Sequence, residues 1–162
     1  TPHRTIAAYD DTDALTAFAE AIDVATYEFE NIPAATVEYL ARLKPVRPGA
    51  KALAAAQDRI SEKSLARELG AMTAEFAAIA SLTDLEAQLK KIPPTCVLKT
   101  RRFGYDGKGQ SKILSLADAN AAWLAMKGQP SILESFVAFR SEVSVIAARG
   151  LDGAFSAFDL TE

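Results

Sequence analysis

A basic strand end, Lys99-Thr100-Arg101-Arg102, runs into a loop carrying Gly104, Gly107 and Gly109 and leaves through Gln110 toward the apolar pair Ile113-Leu114. Two apolar runs joined this way must pair as a hairpin or flank a ligand. Glycine lets backbone amides turn inward and approach an anion closely, and a row of such amides makes a cradle. With Lys99 and Lys108 adding positive charge, the stretch reads as a loop that covers a polyphosphate. Two commoner phosphate motifs do not fit. Gly104 and Gly109 have P-loop spacing, but Gln110 stands where that motif needs lysine; G-x-G-x-x-G begins at Gly107 and Gly109 and fails at Lys112. Asp106-Gly107 is also a strong turn dipeptide, so a plain hairpin with solvated lysines is the competing reading.

The 162 residues, 49% of them apolar, are enough to bury a core. Formal charge is -3 with acids and bases interspersed, and basic character is confined to residues 99–112, which argues against a nucleic-acid partner. The single cysteine, Cys96, adjoins Val97-Leu98 and is expected to be a buried thiol; it excludes an internal disulfide framework and fits a cytoplasmic setting. No apolar run approaches a membrane span, so no membrane partner is expected. His3 is the only histidine and lies in a polar stretch, which leaves little scope for a histidine-based metal site or triad. The chain starts at Thr1 just before an apolar run and stops at Glu162 just after another, so it is expected to be an internal segment of a longer protein.

The fold expected is α/β followed by α+β. Residues 6–9 read as a strand, Thr12 as the cap of a helix bearing Leu15, Phe18, Ala19 and Ile22, residues 24–29 as a second strand, and Pro33 as the first position of a helix with Val37, Leu40 and Ala41 on one face. That alternation is the pattern of parallel crossovers. Residues 45–49 break it. A helix capped by Asp58 and stopped by Gly70 follows, then a strand at 75–79, a helix started by Ser81 or Thr83, strands at 96–100 and 110–114, a helix over 117–126, and strands at 132–137, 142–148 and 154–160 with mostly antiparallel pairing.

The loop has company. Upstream lie Glu28-Phe29-Glu30-Asn31 and Gln57-Asp58-Arg59-Ile60-Ser61-Glu62-Lys63; downstream come Ile132-Leu133-Glu134-Ser135-Phe136-Val137 and Glu142-Val143-Ser144-Val145. In this order, with the Tyr105-Asp106-Gly107-Lys108-Gly109-Gln110 loop, the set resembles the ATP-grasp ligases of the 5-(carboxyamino)imidazole ribonucleotide synthase family over essentially the whole chain. The resemblance implies the end of a Rossmann-like pre-ATP-grasp domain at 1–50, a connecting helix at 51–70, a small ATP-grasp subdomain at 71–138 and the start of the large subdomain at 139–162. It implies ATP and Mg2+ as cofactors, aminoimidazole ribonucleotide and bicarbonate as substrates, a homodimer, and carboxylation through carboxyphosphate in de novo purine synthesis.

Residue by residue, Arg59 and Lys99 resemble the cations on the ATP phosphates. Gly104, Tyr105, Asp106, Gly107, Lys108, Gly109 and Gln110 resemble the loop that closes over them. Glu134, Ser135, Phe136 and Val137 match the hinge on the adenine edge, and Glu142 the carboxylate that accepts the ribose hydroxyls. Tyr105 and Asp106 match positions that also face the ribonucleotide, with Glu30 and Asn31 as further lining. The family's magnesium-binding acid and asparagine and its carboxyphosphate site fall beyond Glu162, so no metal ligand and no certain catalytic residue is assigned here, and the segment alone is expected to have no turnover. The other readings are another ATP-grasp carboxylating ligase, a nucleotide-binding relative without catalysis, and a non-binding α/β module.

The residues themselves carry ordinary alternatives. Lys99 shares a strand face with Val97, where an inward lysine needs an anion, or else guards a sheet edge. Arg59 opposes the helix dipole, or pairs with Glu62 or Glu142. Glu142 wants a hydroxyl or cation partner in an apolar strand, or faces solvent. Glu28 and Lys63 are read as structural, Trp123 and Phe136 as core. Phe103 stands where the family often has a second glycine, stiffening the loop's base, and residues 71–76 replace a proline-bearing turn.

Overall fold

A computed structural model describes residues 4–92, 95–104 and 109–162. Two hydrophobic clusters organise the chain. The first gathers Ala19, Ala25, Val37, Leu40, Val46 and Leu53 from helices α1 (Thr12–Glu20), α2 (Ala34–Ala41) and α3 (Ala50–Ala56) and the segments between them. Asp11, not Thr12, caps α1: its side chain accepts from the Ala14 amide. Pro33 sits one position earlier than expected, as the cap of α2, and Ala41 faces out while Val37 and Leu40 are buried.

The expected strands at 6–9 and 24–29 do not form among the described residues. Residues 6–8 are exposed and belong to no strand, and the second run contributes one parallel bridge, Ala25 to Val46. The Ala25 amide donates to the Pro45 carbonyl and the Arg47 amide to Ala25. Both runs are largely apolar, but a strand exists only when a neighbour pairs its backbone. The crossover pattern is therefore reduced here to helices and that bridge.

Helix α4 (Arg59–Glu68) runs between the cap Asp58 and Gly70, whose φ of +85° ends it as glycine readily does. The second cluster then forms around a four-stranded antiparallel sheet in the order β1-β4-β2-β3, built from β1 (Phe76–Ile79), β2 (Cys96–Thr100), β3 (Gln110–Ile113) and β4 (Ser131–Ser135). Its core face presents Cys96, Leu98, Ile113 and Leu133 to helices α5 (Leu82–Leu89, capped by Ser81) and α6 (Ala119–Ala125), the latter led by a 3-10 turn at Leu116–Asp118. Each fully buried Leu or Ile contributes about 1.5–3 kcal/mol, an upper estimate. Trp123 packs at the edge of this cluster, but Phe136 does not join it and is half exposed. Burial pushes the Cys96 thiol pKa up.

Cross-strand register decides what the other face carries. Val97 lies opposite both Glu134 and Lys112, and Lys99 opposite both Ile132 and Gln110. Directly opposed residues share a face, so Val97, Lys99, Gln110, Lys112, Ile132 and Glu134 all point away from the core. Beyond the sheet, the expected strands at 142–148 and 154–160 shorten to the hairpin β5 (Ala147–Arg149) and β6 (Phe155–Ala157) with a bridge from Ser144 to Thr161. This hairpin is exposed on both sides.

Candidate functional site

The outward sheet face forms the floor of a cavity of about 810 Å³, and α4 and residues 135–142 form its walls. Alternation in β2 is the cause. Cys96, Leu98 and Thr100 are buried toward the core, which sends Val97 and Lys99 to the cavity side. Lys99 is half-buried there, and the anion beside it is protein-borne: its Nζ donates to Glu134 Oε2 at 2.9 Å. Lys63, on the second turn of α4, brings its Nζ within 3.6 Å of the same oxygen. Glu134 is 6% exposed, and its Oε1 has no hydrogen-bond partner among the described residues. A buried polar atom left unpaired is costly, so this oxygen is an acceptor suited to a ligand's donor.

Around that carboxylate the lining divides by chemistry. Lys112 lies with its ammonium 4.5 Å from the centre of the Phe136 ring, a cation–π arrangement that fixes both. Val97, Val137, Phe139 and the fully exposed Met72 offer apolar surface, and Gln110, Ser135 and Glu142 offer polar atoms. The Phe136 amide is spent on the Thr95 carbonyl and the Ser135 amide on Glu75, whereas the Val137 amide takes no partner among the described residues. Glu142 lies in an exposed stretch outside the sheet ladder, contrary to the strand expected for it.

Of the residues singled out in the sequence, the fold thus brings Lys99, Gln110, Glu134, Ser135, Phe136, Val137 and Glu142 around one cavity. Arg59 stands apart from that lining. Its amide donates to the Arg101 carbonyl, and its Nη2 donates to the Gly104 carbonyl at 3.1 Å, so it holds the near base of the loop and pairs with neither Glu62 nor Glu142. Gly109 holds the far base, accepting from the Thr100 amide at 2.8 Å. Tyr105, Asp106, Gly107 and Lys108 lie outside the described residues. Asn31 lines a separate cavity of about 250 Å³ with Gln57, Arg102 and Phe103; Glu30 is exposed, and its carbonyl accepts from Gln57 Nε2.

Lys63, which the sequence reads as structural, also lines this cavity. The signal was present, since Arg59 and Lys63 are four apart and share a helix face. Met72 and Phe139 carried no comparable signal, because only the folded path of their loops brings them to the cavity. Beneath the loop, Asp58 ties helix to strand. Its carboxylate accepts from the Ile60 and Ser61 amides and from Arg101 Nε and Nη2 at 3.1 and 2.7 Å, with Arg102 Nε at 3.4 Å. Burial alone raises its pKa, but the Arg101 bond, the two amides and the Arg101 charge together hold it below the usual carboxylate value.

The ATP-grasp domain family matches residues 64–162, and the ribonucleotide synthetase preATP-grasp domain matches residues 1–57. N5-carboxyaminoimidazole ribonucleotide synthases of Pseudomonas aeruginosa and Brucella melitensis are 44% and 45% identical over 90% and 97% of this chain. The chain spans 40% and 44% of their respective lengths. The crystal structure of N5-carboxyaminoimidazole synthetase from Staphylococcus aureus complexed with ADP is 31% identical, with a TM-score of 0.90 over 96% of this chain and 42% of that one. The half-buried Lys99 and the whole four-stranded sheet fall inside a family match that covers more than half the chain, and the chain belongs to the ATP-grasp family.

Proposed function

We propose that the intact protein is an ATP-dependent ligase that carboxylates aminoimidazole ribonucleotide with bicarbonate, by way of carboxyphosphate, in de novo purine synthesis. One observation carries the reading: Lys99, residues 134–137 and Glu142 converge on one cavity. In it, Lys99 takes the phosphate chain as a point charge. The unpaired Glu134 oxygen and the Val137 amide are an acceptor and a donor three residues apart on the hinge, the pattern an adenine edge requires. Glu142 accepts ribose hydroxyls. Arg59 and Gly109 set the two ends of the loop, whose closure excludes water from the labile acyl phosphate. Tyr105, Asp106, Glu30 and Asn31 face the ribonucleotide in this reading.

Chemistry of this kind is mostly positioning and charge neutralisation. Magnesium accompanies the nucleotide in the proposal, but among the described residues no group of three or more His, Cys, Asp or Glu is placed to hold it. Those residues do not fit a metal site and act on the nucleotide itself. No helix among the described residues is long and apolar enough to cross a membrane. A cytoplasmic homodimer is part of the same proposal.

The test is ADP release by the intact protein with aminoimidazole ribonucleotide and bicarbonate each omitted in turn, alongside Lys99→Ala. ADP formation should require the ribonucleotide and fall about a hundredfold or more in the variant. ADP formation indifferent to the ribonucleotide would discard the substrate and point to another carboxylating ligase. Binding without turnover would identify a nucleotide-binding relative.

A further inference from the structure

Two ammonium groups share one carboxylate on the floor of the cavity. Glu134 Oε2 accepts from Lys99 Nζ at 2.9 Å and lies 3.6 Å from Lys63 Nζ; the Glu134 side chain is 8% exposed against 25% and 23% for the lysines. This creates a conflict if Lys99 is to serve an anionic ligand. A buried carboxylate deprived of its only cation is strongly unfavourable. With Lys99 alone beside Glu134, the ammonium would be held by the protein, and a phosphate could recruit it only by stranding the acid.

Lys63 removes the conflict. It reaches the same oxygen from α4, and no other ion pair engages it among the described residues. The neighbouring cations are committed elsewhere. Lys112 lies over Phe136, Arg67 bonds Thr73, the Ala74 carbonyl and Glu75, and Arg59 bonds the Gly104 carbonyl. Glu134 Oε1 gains no donor from the described residues to make up for a lost lysine.

We propose that Lys63 is a positioning residue for Lys99: it keeps Glu134 neutralised, so that the Lys99 ammonium is free to turn to the phosphate chain of a nucleotide. Lys63 acts through Glu134 and does not itself touch the ligand. The proposal rests on the nucleotide reading of the cavity.

The experiment is a double-mutant cycle on the intact protein, titrating wild type, Lys63→Met, Glu134→Gln and the double variant with MgADP and with adenosine. Methionine keeps the unbranched apolar stem and a good helix propensity, and thermal midpoints without ligand report on folding. Should Lys63→Met not fold, Lys63→Gln enters the same cycle. ADP affinity should fall about tenfold or more in Lys63→Met, stay within about threefold of wild type in Lys63→Arg, and change by less than about twofold when Lys63→Met is added to Glu134→Gln. Adenosine, which has no phosphate for Lys99, should bind wild type and Lys63→Met alike. Equal ADP affinity in wild type and Lys63→Met overturns the proposal. So does an undiminished loss on the Glu134→Gln background, which would mean that Lys63 touches the ligand. Failure of wild type to bind either probe overturns the nucleotide reading and this inference with it, whereas binding with additive losses overturns the inference alone.

Discussion

Single residues at the base of the loop show how much depends on one backbone angle. Gly109 has φ +70°, and a Cβ placed there would come within 2.8 Å of Thr100 Oγ1 and 3.4 Å of Thr100 Cγ2. Thr100 is buried and β-branched, and its amide is bonded to the Gly109 carbonyl, so it has little room to retreat. Gly109→Ala therefore meets both the left-handed penalty of an L-residue and a close contact. It should lose about 1–3 kcal/mol in urea denaturation of the intact protein. A variant within about 0.5 kcal/mol of wild type would show that the loop base relaxes freely. Phe103, at φ +61°, carries a comparable penalty at the other end of the loop without being glycine. The sequence showed a phenylalanine where glycine is frequent, and the reason to notice it is this angle.

At the scale of elements, legibility followed how local the determinants are. Helix α4 could be read from end to end, because an aspartate cap and a glycine stop act within a few residues of the ends they define. The bounds of β2 were equally plain, set by an apolar run between a proline pair and the basic loop. Residues 6–9 and 24–29 looked no less like strands, yet pairing belongs to two segments at once, and only Ala25 and Val46 supply any of it. Cap strength was legible only in part. Asp58 is a helix cap by sequence, but the bidentate Arg101 that locks it lies 43 residues away. Asp58→Ala should lose about 2–4 kcal/mol at neutral pH, combining a lost cap with a partly buried arginine left unpaired. The sign with pH follows from the depressed carboxyl pKa. Its stabilisation is fully present above the unfolded value, 3.8, and is lost as pH falls through the lower folded value. The gap between wild type and variant, measured by denaturation at neutral pH and again near pH 3, should therefore narrow in acid. A gap independent of pH would mean that the cap contributes through packing alone.

Across the whole molecule, the motifs singled out seven residues that line one cavity, while the sharing of charge among them needed three dimensions. Nothing in the spacing of Lys63, Lys99 and Glu134 says that two lysines converge on one oxygen; that follows from α4 directing Lys63 into the cavity whose floor is the outward sheet face. The same holds for the join between the two hydrophobic clusters. Gln57, in the corner between α3 and α4, donates from Nε2 to the carbonyls of both Glu30 and Ile32, and so pins residues 30–32 beside the cavity that Asn31 shares with Arg102 and Phe103. Those carbonyls lie beside residues proposed to face the ribonucleotide, and residues 30–32 take no part in the lining of the cavity around Glu134 proposed for the nucleotide. Removing the amide in Gln57→Ala frees the 30–32 loop without altering any residue that lines the cavity proposed for the nucleotide. The KM for aminoimidazole ribonucleotide should rise about tenfold, a loss of roughly 1.4 kcal/mol of loop positioning, with the KM for ATP within about twofold of wild type. Steady-state kinetics with each substrate varied in turn separates the two. Equal rises in both constants would show that Gln57 supports the fold as a whole, and no rise in either would remove residues 30–32 from the substrate site.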